Sequence, residues 1–208
     1  MGGNPWSCDC ELEWLKNVNQ LRGTGSYPRI LDLDTIMCGH PAATPFLTSS
    51  PGGFPPKDNN LAGKPGGSSG HDHVVTSQNG GVPLLHMRSD QFVCEYDAHC
   101  IPQCYCCDFF ACDCRMQCPE GCSCYHDNSW TNNVIQCSGR GHMDVPPLIP
   151  MDATAVYLDG NNMTELANPG FIGRRRVRAV YLNNSMIARV TNYSFEGLTE
   201  VRSSAITT

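Results

Sequence analysis

The chain has 208 residues, with 20 Gly, 15 Pro, 16% charged residues and a formal net charge of -6. Such a composition leaves much of the chain outside any packed core, and an acidic balance lacks the concentrated Lys and Arg by which a protein binds nucleic acid, so no nucleic-acid partner is expected. No apolar window reaches about 18 residues, which predicts no membrane-spanning segment, and Met1 to Trp6 lacks the charged and apolar regions of a signal peptide.

The first patterned stretch, Asn4 to Leu21, reads NPWSCDCELEWLKNVNQL. Leu12, Leu15, Val18 and Leu21 recur at intervals of three, with Trp14 four before Val18, which predicts a short helix with one apolar stripe. Cys8 and Cys10 stand just before it, so bridges from them would pin its start to later segments. Residues 41-86 change character: Ser49-Ser50-Pro51-Gly52-Gly53, Pro55-Pro56, Lys64-Pro65-Gly66-Gly67-Ser68-Ser69-Gly70 and Asn79-Gly80-Gly81 leave no apolar period, and a disordered insert is expected. Its His71-Asp72-His73 offers two imidazoles in a flexible tract, a poor match to the strict geometry of a metal site, and no metal is expected.

Eleven of the fourteen cysteines then fall between Cys94 and Cys137. A dense, even-numbered cysteine set is what an oxidising compartment converts into covalent staples for pieces too small to hold a core. Secretory chemistry without a secretion signal predicts a piece of a longer protein. Zinc is the competing account, but zinc modules favour repeated C-x2-4-C pairs, whereas C-x-C dominates at Cys8, Cys104, Cys112 and Cys122, with an adjacent pair at Cys106 and Cys107.

After Cys137 a pattern appears twice. Val156-x-Leu158-x-x-Asn161-x-Met163 recurs 24 residues later as Val180-x-Leu182-x-x-Ser185-x-Ile187, with Phe171 matched by Phe195 and Val177 by Val201. The period and pattern are those of leucine-rich repeats, each of which lends a short parallel strand to a concave sheet. Val156, Leu158, Val180 and Leu182 are expected inside, and Asn161 is expected to turn its amide inward onto backbone groups. Ser185, at the equivalent place, replaces only part of that bonding. Residues 201-208 depart from the pattern and predict a broken third repeat. On the solvent side Ala155, Tyr157 and Asp159 should stack against Ala179, Tyr181 and Asn183, a two-tyrosine ladder suited to recognition or simply to sheet stability. The sequons at Asn162, Asn183 and Asn192 are expected glycan acceptors, and a glycan on Asn183 would cover the ladder. Arg174-Arg175-Arg176-Val177-Arg178 could bind sulfated glycan or be a processing site, but reads most simply as a solvated face beside a buried Val177. No G-x-S-x-G elbow, P-loop or H-E-x-x-H is present, so no enzyme is expected and no catalytic residue is named.

The opening NPWxCDCxLxWL resembles the cysteine-rich cap that closes a leucine-rich array, with Cys38 and Cys94 as its later cysteines, and Cys118-Pro119-x-x-Cys122-x-Cys124 followed by Cys137 resembles the cap that opens one. The connecting CYCCDFFACDCRMQCPEGCSCYHDNSWTNNV, with IPMDATAVYLDGNN and AVYLNNS, is similar to the long Toll-type receptors of arthropods. The resemblance covers Asn4 to about Cys38 and Arg88 to about Glu200. It implies a leucine-rich repeat solenoid of the α/β type flanked by disulfide-rich caps: a closing cap over residues 1-40 and 87-99, the insert over 41-86, a connector over 100-117, an opening cap over 118-150 and repeats over 151-208. It further implies the bridges Cys8 to Cys38, Cys10 to Cys94, Cys118 to Cys124 and Cys122 to Cys137. Connector residues Cys100, Cys104, Cys106, Cys107, Cys112 and Cys114 remain open among about 15 pairings. The role implied is the extracellular, ligand-recognising part of a single-pass receptor in immune or developmental signalling. Such a receptor would take a cystine-knot, Spätzle-like cytokine or another protein ligand, and would admit a receptor homodimer, with no cofactor. A Slit-like guidance or adhesion protein and an intracellular zinc-binding module are the alternatives.

Overall fold

The computed structural model describes residues 6-18, 30-39, 82-101, 114-166 and 169-205. The chain divides into two compact units, Met1–Gln91 and Phe92–Thr208.

In the first unit β1 (Trp6–Ser7) leads through a 3-10 turn, Cys10–Leu12, into α1 (Glu13–Asn17). The Asp9 carboxylate accepts from the Glu11 amide at 3.1 Å and so occupies one of the donors that a helical start leaves without a partner. Leu15 and Val18 are buried, as the stripe predicts, whereas Trp14 is 59% exposed. A helix of five residues buries a single narrow line, and Trp14, one position from Leu15, lies about 100° round from it. Leu21 lies outside the described residues. The chain returns as β2 (Met37–Gly39), parallel to β1 with Trp6 opposite Cys38, and β3 (Val82–Pro83) pairs antiparallel with it. The expected insert therefore ends earlier than 86: Val82 pairs with Cys38, the Leu84 amide donates to the Ile36 carbonyl at 3.0 Å, and Leu84 is fully buried. An apolar pair returning after the Gly/Pro tract gives the chain something to bury. The His71-Asp72-His73 triplet lies outside the described residues.

The second unit is built on a six-stranded sheet in the order β13-β11-β9-β8-β7-β4. In chain order its elements are β4 (Val93–Tyr96), β5 (Ala98–Cys100), β6 (Arg115–Gln117), β7 (Ser123–Asp127), β8 (Asn133–Gln136), β9 (Ala155–Tyr157), β10 (Glu165–Leu166), β11 (Ala179–Tyr181), β12 (Arg189–Val190) and β13 (Ser203–Ala205). An antiparallel trio, β4-β7-β8, passes into a parallel run, β8-β9-β11-β13. β4, assigned from sequence to the closing cap, pairs with β7 of the opening cap, Cys94 opposite His126. β5 and β6 form a separate antiparallel pair, and the connector cysteines Cys104, Cys106, Cys107 and Cys112 lie outside the described residues.

The repeat explains the parallel run. Val156, Leu158, Val180 and Leu182 are buried, while Ala155, Tyr157, Ala179 and Tyr181 on the other face stay half-exposed. Ile135, Ile149, Met163, Leu166, Phe171 and Val177 complete the same core. The returning limb of each repeat is a two-residue strand, β10 pairing parallel with β12, rather than the helix of an α/β-type repeat. The expected break in the third repeat is also corrected in part: Ser203 to Ala205 pair with Ala179 to Tyr181 as a further parallel strand, although Val201 is 37% exposed where Val177 is fully buried.

Candidate functional site

The half-exposed face of the parallel run, expected to be the concave one, presents its side chains in rows set by register: Val134, Ala155 and Ala179 in one row, then Gln136, Tyr157 and Tyr181. Parallel neighbours in register stand about 4.8 Å apart, close enough for flat rings to stack. The Tyr157 and Tyr181 rings do so, 4.2 Å between centroids and 8° between planes. Burial pushes the Tyr157 hydroxyl well above its ordinary pKa, and the neighbouring Tyr181 and Asp159 add to the effect, so at neutral pH it remains a neutral O–H. The next row is polar. One Asp159 carboxylate oxygen accepts from the Asn183 amide at 2.8 Å and from its side-chain Nδ2 at 2.9 Å, and the Ser138 hydroxyl donates to the other at 3.5 Å. The face is therefore an aromatic platform bordered by a held carboxylate, an arrangement suited to docking a surface and without a nucleophile and base pair.

Beneath the platform the two repeat turns differ as the Asn161 and Ser185 substitution predicts. Asn161 accepts from the Arg140 and His142 amides, both at 3.1 Å, and donates to the Cys137 and Leu158 carbonyls at 2.9 and 2.8 Å. Ser185 reaches the Leu158 carbonyl at 2.8 Å and the Asn183 carbonyl at 3.3 Å.

The sequons are placed unequally. Asn162 and its hydroxyl partner Thr164 are exposed. Asn183 is tied to Asp159, and its partner Ser185 is buried; Asn192 is exposed, but Ser194 is buried and donates to the Leu166 carbonyl.

The structure joins Cys8 to Cys38, Cys118 to Cys124 and Cys122 to Cys137. Cys10, Cys94, Cys100 and Cys114 are disulfide-bonded as well, and no free cysteine is present among the described residues. Cys122, Cys137 and His142 bring three possible metal donors within 4.8 Å of one another, but the two sulfurs are bonded to each other, so they do not offer the thiolates that the zinc-module alternative needs.

One buried network has no counterpart in the repeat pattern. His99 Nε2 lies 2.8 Å from Asp152 Oδ2, both side chains 5% exposed, while Asp152 Oδ1 accepts from Asn133 at 3.0 Å and Asn133 accepts from the Tyr96 hydroxyl at 2.6 Å. Trp130 stacks on His99 at 4.4 Å and on His126 at 3.7 Å. Burial alone would raise the Asp152 pKa, but the His99 contact, a hydrogen bond and opposite charge together, leads the set of interactions that outweighs it and holds the carboxyl below its ordinary value. These residues come from three separate stretches, 96-99, 126-133 and 152, with no shared spacing, so no sequence signal could have assembled them.

No family model matches the chain. Among curated proteins it is 38% identical over 180 residues to Toll-like receptor 7 of Drosophila melanogaster, covering 86% of this chain and 10% of that protein. It is 32% identical over 83 residues to leucine-rich repeat-containing protein 3 of Danio rerio, covering 40% of this chain and 30% of the relative. Among solved structures, the Toll–Spätzle complex of Drosophila aligns over 95% of this chain and 20% of that one, at 16% identity and a TM-score of 0.43. Human trophoblast glycoprotein aligns over 43% and 32%, at 25% identity and a TM-score of 0.38. With its parallel run of repeats, its disulfides and a match that runs through 86% of its length, the chain belongs to the Toll-like receptor family and corresponds to a stretch of its ectodomain.

Proposed function

We propose that this segment serves ligand recognition in a Toll-type receptor on the extracellular side of the plasma membrane, and that its concave face contacts a protein ligand of the cystine-knot, Spätzle-like class. The observation that carries the proposal is the tyrosine stack: two rings held flat against each other, half-exposed, bordered by the Asp159 carboxylate. Tyrosine provides large contact area at low entropic cost and is enriched among residues that dominate binding energy. The array continues as a leucine-rich solenoid, and pairing of two receptors around a ligand turns occupancy into innate immune or developmental signalling. The role is recognition rather than catalysis. Asn162, Asn183 and Asn192 are the glycan acceptors, with Asn162 and Thr164 the most exposed of the three pairs, and an open platform requires that Asn183, tied to Asp159, be unoccupied.

The test is binding of a recombinant cystine-knot cytokine of the Spätzle type to the chain and to a Tyr157→Ala, Tyr181→Ala double variant, measured by interferometry. Loss of an aromatic anchor pair should weaken binding by about 2 kcal/mol or more, roughly thirtyfold. Unchanged affinity, or a glycan mapped to Asn183, removes the concave face from the interface.

A further inference from the structure

The arginine run between the two repeats is sorted by the fold into structural and free parts. Arg174 is half-buried, its Nε donating to the Ile149 carbonyl at 2.8 Å, and Val177 is fully buried among the core residues. Arg175, Arg176 and Arg178 are exposed. Register adds a residue that the run does not contain: the Arg202 amide donates to the Arg178 carbonyl at 2.9 Å, so Arg178 and Arg202 hold the same place in consecutive repeats, and Arg202 is exposed too. Thr199 likewise reaches the Arg175 carbonyl at 3.4 Å. Among the described residues no carboxylate lies within salt-bridge range of Arg175, Arg176 or Arg202, and Arg178 meets Glu200 only at 4.0 Å, both half in solvent. Arg176 reaches outward to the Trp130 carbonyl at 3.5 Å, and four exposed arginines thus lie on the segments that lead into β11 and β13, in a chain whose net charge is -6.

From this placement we infer that Arg175, Arg176, Arg178 and Arg202 form a binding site for a sulfated glycosaminoglycan. Like charges on neighbouring repeats repel one another, and a polyanion relieves that cost while the planar guanidinium fork matches sulfate oxygens two at a time. The processing alternative fits the geometry poorly. A protease needs the chain extended, whereas the Arg178 amide is held by the Thr154 carbonyl at 2.8 Å and Val177 would have to leave the core. The patch lies beyond the N-terminal ends of β11 and β13, while Tyr157 and Tyr181 end their strands, so glycan and protein ligand use different parts of the surface. The inference is independent of the concave-face proposal.

The experiment is retention of the whole chain on immobilised heparin at physiological salt, with the dissociation constant followed against salt. The quadruple variant R175S/R176S/R178S/R202S should bind about tenfold more weakly or worse, on the order of the sum of several exposed charge contacts, with a shallower salt dependence. A second quadruple variant, R88S/R115S/R140S/R189S, removes the same charge at other exposed positions and should bind like the parent. Matching near-ultraviolet circular dichroism checks that all three proteins are folded. Tyr157→Ala with Tyr181→Ala should leave heparin binding unchanged, which separates this site from the concave face. Passage of the parent straight through the column, equal losses in both quadruple variants, equal binding of desulfated heparin, or a preference for phosphatidylserine vesicles would each overturn the inference.

Discussion

At the residue scale the two repeats measure what one side chain does in one place. Asn161 closes its turn with four hydrogen bonds to backbone groups, and its replacement by Ala strands those partners beside the core. Asn161→Ala should cost about 3 kcal/mol or more in urea unfolding, and Ser185→Ala, with fewer partners, about 1-2 kcal/mol. Equal losses would mean that the turns are held by something other than these side chains. The second turn also carries left-handed backbone at Asn184 and Met186, φ 54° and 57°, where the first has Gly160 at φ 68° opposite Asn184. Met186 is 69% exposed and gains little from burial there, so Met186→Gly should stabilise by up to about 1 kcal/mol. Gly197 is the opposite case. At φ 98°, a Cβ on it would sit 2.4 Å from the Phe171 carbonyl oxygen, so Gly197→Ala must push one repeat off the other, and a fall in melting temperature is expected.

At the element scale two buried carboxylates, Asp127 and Asp152, brace the ends of β7 and β8 beside the core. The loop from β7 to β8 closes on Asp127, whose Oδ1 accepts from the Thr131 amide at 2.9 Å and whose Oδ2 accepts from the Thr131 hydroxyl and the Asn132 side chain at 2.6 and 2.8 Å. Burial works against the charge, yet the hydrogen bonds from Thr131 and Asn132 prevail and place the Asp127 pKa below its ordinary value. Asp152 is lowered in the same sense beside His99. A carboxyl whose folded pKa is lowered contributes stability that is complete above the unfolded value, about 4, and lost as pH falls through the folded one. Urea midpoints should therefore hold between pH 7 and about 5 as far as these two groups are concerned, then drop below about pH 4. Asp127→Asn should start from a lower midpoint and show a smaller acid-dependent drop; a variant with the parent's full drop would clear Asp127 of the effect.

At the scale of the whole molecule, covalent bonds substitute for area. The first unit has short strands and a five-residue helix, and the Cys8 to Cys38 bridge ties the residue after β1 to β2. In the second unit Cys118 to Cys124 and Cys122 to Cys137 fasten the start of the opening cap to β7 and to the end of β8. Each such bridge is worth about 2-4 kcal/mol, comparable with the stability of a small unit, so reduction with a dithiol should unfold the bridged segments cooperatively by circular dichroism. Intact mass of the unreduced chain should fall below that of the reduced chain by fourteen hydrogens, since all 14 cysteines are expected to pair. A smaller difference would point to thiols within the connector.

Periodicity alone established the repeat, its core residues, the tyrosine ladder and the inward Asn161, because in a parallel stack each residue meets its own counterpart one repeat away, and register repeats whatever the sequence repeats. Cysteine density likewise foretold the disulfides, which take up every described cysteine. Tertiary structure alone decided what joins residues of unrelated spacing: β4 against β7, the return of Leu84 onto Ile36, and the Tyr96, Asn133, Asp152 and His99 network. It also decided the fate of the arginines, for a run of like residues looks uniform along the chain, and only packing turns Arg174 inward and brings Arg202 beside Arg178. Local pattern records which face a residue takes within its own element, whereas contacts between elements depend on how the chain closes in space, which no short window contains.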